Sequence, residues 1–201
     1  MSYDYDVFLS YRRLGEWPQW VDRHFLPLFR HWLGEELGRK PEIFVDREGT
    51  QSGDYWPLRL AQAHSTSRVL VGLWSRTYFE STWCQAELAR MLAHHQACGI
   101  PKPGLPQGLI HAAILHDGDT FPDTVATIQA VDLSRCANVR LAHGSPKAEQ
   151  LEDLIRGWVP GIAHAIGNAP EYDSSWLDES AEAFLGLLTP KSIVPNLPRL
   201  G

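Results

Sequence analysis

The chain is short of cysteine, has no long apolar run and carries no excess of positive charge, and each shortage removes a class of function. Three cysteines, Cys84, Cys98 and Cys136, among 201 residues are odd in number and show no C-x-x-C spacing. They read as reduced thiols of a cytoplasmic protein. No apolar stretch approaches the roughly 18 residues of a spanning helix. In MSYDYDVFLSYRR charges precede the apolar run and no small-residue cleavage site follows, so no signal peptide is expected and no membrane role. The net charge of −6 offers no basic surface for nucleic acid, and the doublet Arg12–Arg13 is too small to supply one. Charged residues are only 21% of the chain and hydrophobic ones 44%, which argues against disorder and for a core.

Several fingerprints are missing as well. There is no G-x-G-x-x-G after a strand, no G-x-x-x-x-G-K-[ST] and no G-x-S-x-G, which weighs against dinucleotide-binding Rossmann, P-loop and α/β-hydrolase sites. His94 and His95 are adjacent, without acidic or thiol neighbours at ligand spacing, so no metal is expected there. His111 and His116 flank an apolar run and read as structural.

What is present alternates strand with helix. YDVFLS (5–10), EIFV (42–45), RVLVGLW (68–74), LIHAAIL (109–115) and a short IQAVDL (128–133) read as buried strands. Between them lie helical patterns after Trp17–Pro18, with a break expected at Pro27, from Tyr55–Pro57 to 65–67, from Thr82 to Gly99, and over 147–166. Thr82 and Gln85 have capping-box spacing. The expected architecture is α/β: a flavodoxin-like open parallel five-stranded sheet, order 2-1-3-4-5, with helices on both faces. Residues 1–168 form the domain; 169–201 add an amphipathic helix, expected to pack on it, and a proline-containing tail.

The stretch STWCQAELA (81–89) places Trp83 and Glu87 one helical turn apart on one face. On a wheel, Cys84, Leu88, Met91 and His95 share a buried arc with Trp83 and Glu87 at its margin, half desolvated. In a 2-1-3-4-5 sheet the crevice lies outside the carboxyl ends of strands one and three. Strand one ends in Ser10-Tyr11-Arg12-Arg13, and strand three leads through Trp83 to Glu87. Both therefore converge on one cleft, roofed by the loop DREGTQSGD (46–54). Strand alternation predicts that only one of the two arginines faces it. A cationic pair with aromatic surfaces suits phosphates and flat rings.

With those residues in view, DYDVFLSYRR resembles the first box of a Toll/interleukin-1 receptor (TIR) domain. IFVDREGTQSGDY is similar to that family's second strand and BB loop, and WCQAEL to the W-x-x-x-E signature of its NAD-cleaving, bacterial branch. The likeness spans roughly residues 3–166. It implies cleavage of NAD+ at the nicotinamide–ribose bond, NAD+ being substrate and no cofactor being needed. By position Glu87 matches the catalytic glutamate, Trp83 the aromatic of the motif, and Tyr11, Arg12 and Arg13 the residues leaving strand one. Tyr55 matches an aromatic after the BB loop, and Asp46 is carried over as a weaker substrate contact. The resemblance also implies TIR–TIR self-association, as a filament or other oligomer, and an activating partner or downstream effector in prokaryotic antiviral signalling.

The chemistry is consistent. Nicotinamide leaves as a neutral ring, so one carboxylate suffices where a glycosidase needs two. Two other functions stay open: a non-catalytic TIR adaptor acting by self-association, and a nucleoside deoxyribosyltransferase-like enzyme. The product, whether ADP-ribose, a cyclic isomer or a base-exchange product, is left open too.

Overall fold

The computed structural model describes residues 2–46, 55–102, 106 and 108–188. Five strands, β1 (Tyr5–Tyr11), β2 (Ile43–Val45), β3 (Ser67–Trp74), β4 (Ile110–Ile114) and β5 (Ala130–Asp132), form one parallel sheet in the order β2-β1-β3-β4-β5. This is the expected order. The two central strands are the most apolar and the most buried: Val7, Phe8, Val69, Leu70 and Val71 are wholly inaccessible, as strands covered on both faces must be.

The helices are α1 (Trp17–Trp20), α2 (Leu26–Leu37), α3 (Trp56–Ser65), α4 (Arg76–Phe79), α5 (Thr82–Ala97), α6 (Pro146–Gly167) and α7 (Ser175–Gly186). On one face α2 packs against α6; on the other, α7 packs against α3 and α5. The break expected at Pro27 takes a specific form. Residues Val21–Phe25 widen into a π-helical turn, and Pro27 then sits in the first turn of α2. Phe25 and Leu26 stay helical and the Leu26 N–H bonds back five residues to the Val21 carbonyl, so the widened turn carries the helix past the N–H that Pro27 lacks.

Helix α5 begins one residue earlier than its capping-box spacing suggests. Ser81, not Thr82, is the N-cap: its backbone is extended and its hydroxyl accepts from the Cys84 N–H at 3.4 Å. At the far end Gly99 takes a left-handed φ of 61°, where a side chain would be strained. The amphipathic helix of the C-terminal segment is α7, and its Phe184 is wholly buried against the domain. Most of the proposed roofing loop, including Gly53, lies outside the described residues, as does the tail from 189. No helix among the described residues is long and apolar enough to cross a membrane.

Candidate active site

β1 and β3 lie side by side at the centre of the sheet, so the segments leaving their carboxyl ends meet. Between them opens a cavity of about 150 Å³ lined by Tyr11, Arg12, Arg13, Asp46, Trp83 and Glu87, together with Leu9, Trp56, Ser81 and Cys84. That volume holds one ring-sized group and falls well short of the roughly 300–1,000 Å³ of a whole-ligand pocket. Any larger ligand would enter by one end.

Glu87 is deeper than the margin the helical wheel assigned it, with only 7% of its surface exposed. The wheel counted only apolar packing, whereas the carboxylate turns in towards β1 and onto the Ser10 hydroxyl. Its Oε2 accepts a 2.5 Å hydrogen bond from the Ser10 hydroxyl, and Ser10 Oγ lies 2.9 Å from the buried Tyr78 hydroxyl. Burial pushes the Glu87 carboxyl up to about 8, and nearby Asp46 pushes the same way; the Ser10 hydrogen bond and Arg13 oppose them. One turn earlier Trp83 stands edge-on to Trp56, ring centres 4.4 Å apart. Behind the carboxylate, His64 Nε2 lies 3.0 Å from the Glu87 carbonyl oxygen. A carbonyl only accepts, so the imidazole carries its proton there. Burial lowers the His64 pKa to about 3, which keeps the ring neutral.

Both arginines line the cavity, contrary to the alternation argument. β1 ends at Tyr11, so Arg12 and Arg13 lie beyond the pleat that would have sent them to opposite sides. They are held differently. Arg12 donates to the Ser81 hydroxyl at 3.1 Å, while Arg13 donates to the Asp46 carbonyl at 2.9 Å and pairs with its carboxylate at 3.5 Å. The Asp46 carboxylate also accepts from the Trp56 indole N–H at 3.0 Å. Asp46 thus organises the pocket wall. Among the described residues no cluster of His, Cys, Asp or Glu could hold a metal ion.

The TIR domain family model matches residues 7–143. The chain belongs to the TIR domain family. In solved structures it is similar to the TIR domain of the Toll-related receptor TRR-2 from Hydra magnipapillata, at 18% identity and a TM-score of 0.46, covering 64% of this chain and 83% of that one. It is also similar to the TIR domains of the activated Roq1 resistosome directly recognizing the pathogen effector XopQ. There the identity is 19% and the TM-score 0.41, with 92% of this chain and 98% of that one covered. No curated protein matches it.

In this TIR domain Tyr55 does not line the cavity. It is the N-cap of α3, 55% exposed, and the next residue, Trp56, forms the wall instead. Tyr55 precedes the helix with an extended backbone, and Trp56 is the first helical residue. Sequence reasoning also passed over Ser10, Tyr78 and Ser81. Ser10 was visible as a hydroxyl inside an apolar strand, a group that needs a buried partner.

Proposed function

We propose that this TIR domain is an NAD+ nucleosidase in which Glu87 is the catalytic residue. The observation that supports it best is a buried carboxylate, raised to about 8, facing a ring-sized cavity between two arginines and two indoles. A carboxylate held out of water without a full counter-charge is costly, and such sites cluster where a ligand supplies the missing charge. The pyridinium ring of NAD+ is a cation. Placed in the cavity, it favours the ionised form of Glu87 and drives out the proton.

The C1′–N bond then breaks with its electron pair going to the ring nitrogen, so nicotinamide leaves neutral and positive charge passes to the ribose. Glu87, fixed by Ser10, stabilises that oxocarbenium-like centre and orients the ribose hydroxyls. Water attacking C1′ completes ADP-ribose and releases one proton, which Glu87 can accept; the adenine ring or another base would give a cyclic or exchanged product. Trp83, Trp56 and Tyr11 wall the ring, while Arg12 and Arg13 face the diphosphate. Tyr55, at the rim, would contact the substrate only beyond the described wall. Self-association of TIR domains, with an activating partner or downstream effector, would restrain an activity that otherwise drains the cell of NAD+, as prokaryotic antiviral defence requires. The test is incubation of the protein with NAD+, and in parallel with deoxynucleosides, followed by chromatography. Nicotinamide release from NAD+ alone supports the reading; base release from deoxynucleosides favours the transferase, and no release at all favours the adaptor.

The pH dependence carries a definite sign. Glu87 is productive as the carboxylate, so kcat/KM for NAD+ should rise with pH, about tenfold per unit, up to a limb near 8. The limb in kcat should lie lower, because bound pyridinium favours ionisation. Profiles of both constants between pH 5.5 and 9.5 check this, and a limb near 4.5 in kcat/KM would contradict it.

The arginines should also separate. Arg12→Ala should raise KM severalfold and leave the limb in place. Arg13→Ala removes a cation that favours the Glu87 carboxylate and unpairs Asp46, so it should move the limb to higher pH. Full kinetics of both variants across pH decide it, and superimposable profiles would contradict the assignment.

A further inference from the structure

The chemistry above leaves α7 without a role. This helix lies beyond residues 7–143, the stretch the TIR family model matches, yet it packs on both α3 and α5. Its Phe184 is wholly buried, with its ring 6.3 Å from Trp83 and edge-on to His64 at 5.6 Å. His64 also stands edge-on to Phe8 of β1, at 5.0 Å, and donates to the Glu87 carbonyl at 3.0 Å. One ring therefore bears on both groups that bracket the carboxylate: the indole one turn before it and the imidazole that grips its backbone. Two contacts further along seat α7 on the rest of α5. Glu179 pairs with Arg90, and the Trp176 ring lies 3.7 Å from that of His94.

We propose that α7 is a brace for the catalytic helix, and that Phe184 is a positioning residue acting through Trp83 and His64 on the Glu87 carboxylate. The proposal rests on the nucleosidase reading. An ordinary core phenylalanine would affect stability alone; this one stands behind both supports of the reacting group. Without it, Trp83 can tip away from Trp56 and His64 can withdraw from the Glu87 carbonyl. The carboxylate then loses its alignment with the developing charge, and misplacement of about 1 Å can cost on the order of a hundredfold in rate. Arg12 is anchored on Ser81 and Arg13 on Asp46, not on Phe184, so both should keep their place in the cavity.

The test compares the full chain with Phe184→Ala, Phe184→Leu and Val159→Ala, the last a buried residue of α6 on the other face of the sheet. Steady-state kinetics and amide hydrogen exchange of residues 83–88 are read on each. Phe184→Ala should lower kcat at least about tenfold, change KM less than threefold and speed exchange across 83–88. Phe184→Leu should fall between it and wild type, and it carries the test if the alanine variant does not fold. Val159→Ala should leave kcat and that exchange near wild type. A kcat loss no larger in the Phe184 variants than in Val159→Ala, or unchanged exchange over 83–88, would overturn the brace. If the wild-type protein releases no nicotinamide, it is the nucleosidase reading that fails. Exchange alone then decides the brace, faster over 83–88 in the Phe184 variants supporting it and unchanged overturning it.

Discussion

Glu87→Gln should reduce NAD+ cleavage on the order of a hundredfold or more, the usual loss when one preorganised electrostatic group is removed. The substitution keeps shape and hydrogen-bonding capacity: the amide oxygen can still accept from Ser10, so the pocket should remain intact. What goes is the negative charge opposite the ribose. The same change should stabilise the fold at alkaline pH, and the sign follows from burial. The folded-state pKa of Glu87 is raised from 4.5 to about 8. Its protonated form therefore suits the fold fully below the unfolded value, and that contribution drains away as pH rises towards about 8. Between those limits the wild-type protein loses about 1.4 kcal/mol per pH unit from this group, and glutamine does not. The melting temperature of the variant should exceed wild type by several degrees at pH 9 and match it near pH 5. A variant that loses activity and stability together at pH 9 would mean that Glu87 is a structural carboxylate, and one retaining more than a tenth of wild-type turnover would end its catalytic assignment.

The second large effect is expected at Ser10, which no motif had singled out. Its hydroxyl is the donor that holds Glu87 Oε2, at 2.5 Å, with the Tyr78 hydroxyl 2.9 Å behind it. A hydrogen bond to a charged group is worth about 1.5–3 kcal/mol. Ser10→Ala should therefore raise the Glu87 pKa further and cut activity at pH 7 by about ten- to a hundredfold. Unlike the loss in Glu87→Gln, this one should be partly recovered by raising the pH, because the carboxylate survives and only its ionisation has become harder. The kcat/KM profile is the measurement. A lower plateau with the limb unmoved would show that Ser10 supports packing and not the charge of Glu87.

Much of the sheet was legible because buried parallel strands are written as short apolar runs between polar breaks. The order 2-1-3-4-5 then placed the ends of β1 and β3 together, and with them Arg12, Arg13, Trp83 and Glu87. The errors arise where neighbours far along the chain decide the outcome. How deeply Glu87 is buried depends on its partner Ser10 in β1 and on Tyr78 behind it, which no helical wheel of 82–97 contains. Tyr55 and Trp56 are adjacent aromatics at a helix start, and it is the bond from the Trp56 indole to Asp46, distant from it in sequence, that marks which one belongs to the pocket wall. Ser10 is invisible to hydrophobic periodicity, since a strand tolerates one hydroxyl at any buried position that offers it a partner. The arginine alternation failed for a local reason: the pleat stops at Tyr11.

Glu87 as the source of NAD+ cleavage is tested most directly by nicotinamide release. Wild-type and Glu87→Gln proteins are incubated with NAD+ at pH 8 over a wide range of protein concentration, and the products are separated by chromatography. The account predicts nicotinamide together with ADP-ribose or its cyclic isomer from the wild type, with a specific activity that climbs as the protein self-associates. It predicts a release from Glu87→Gln lower on the order of a hundredfold. Equal release from the two proteins, or none from the wild type at any concentration, would contradict it.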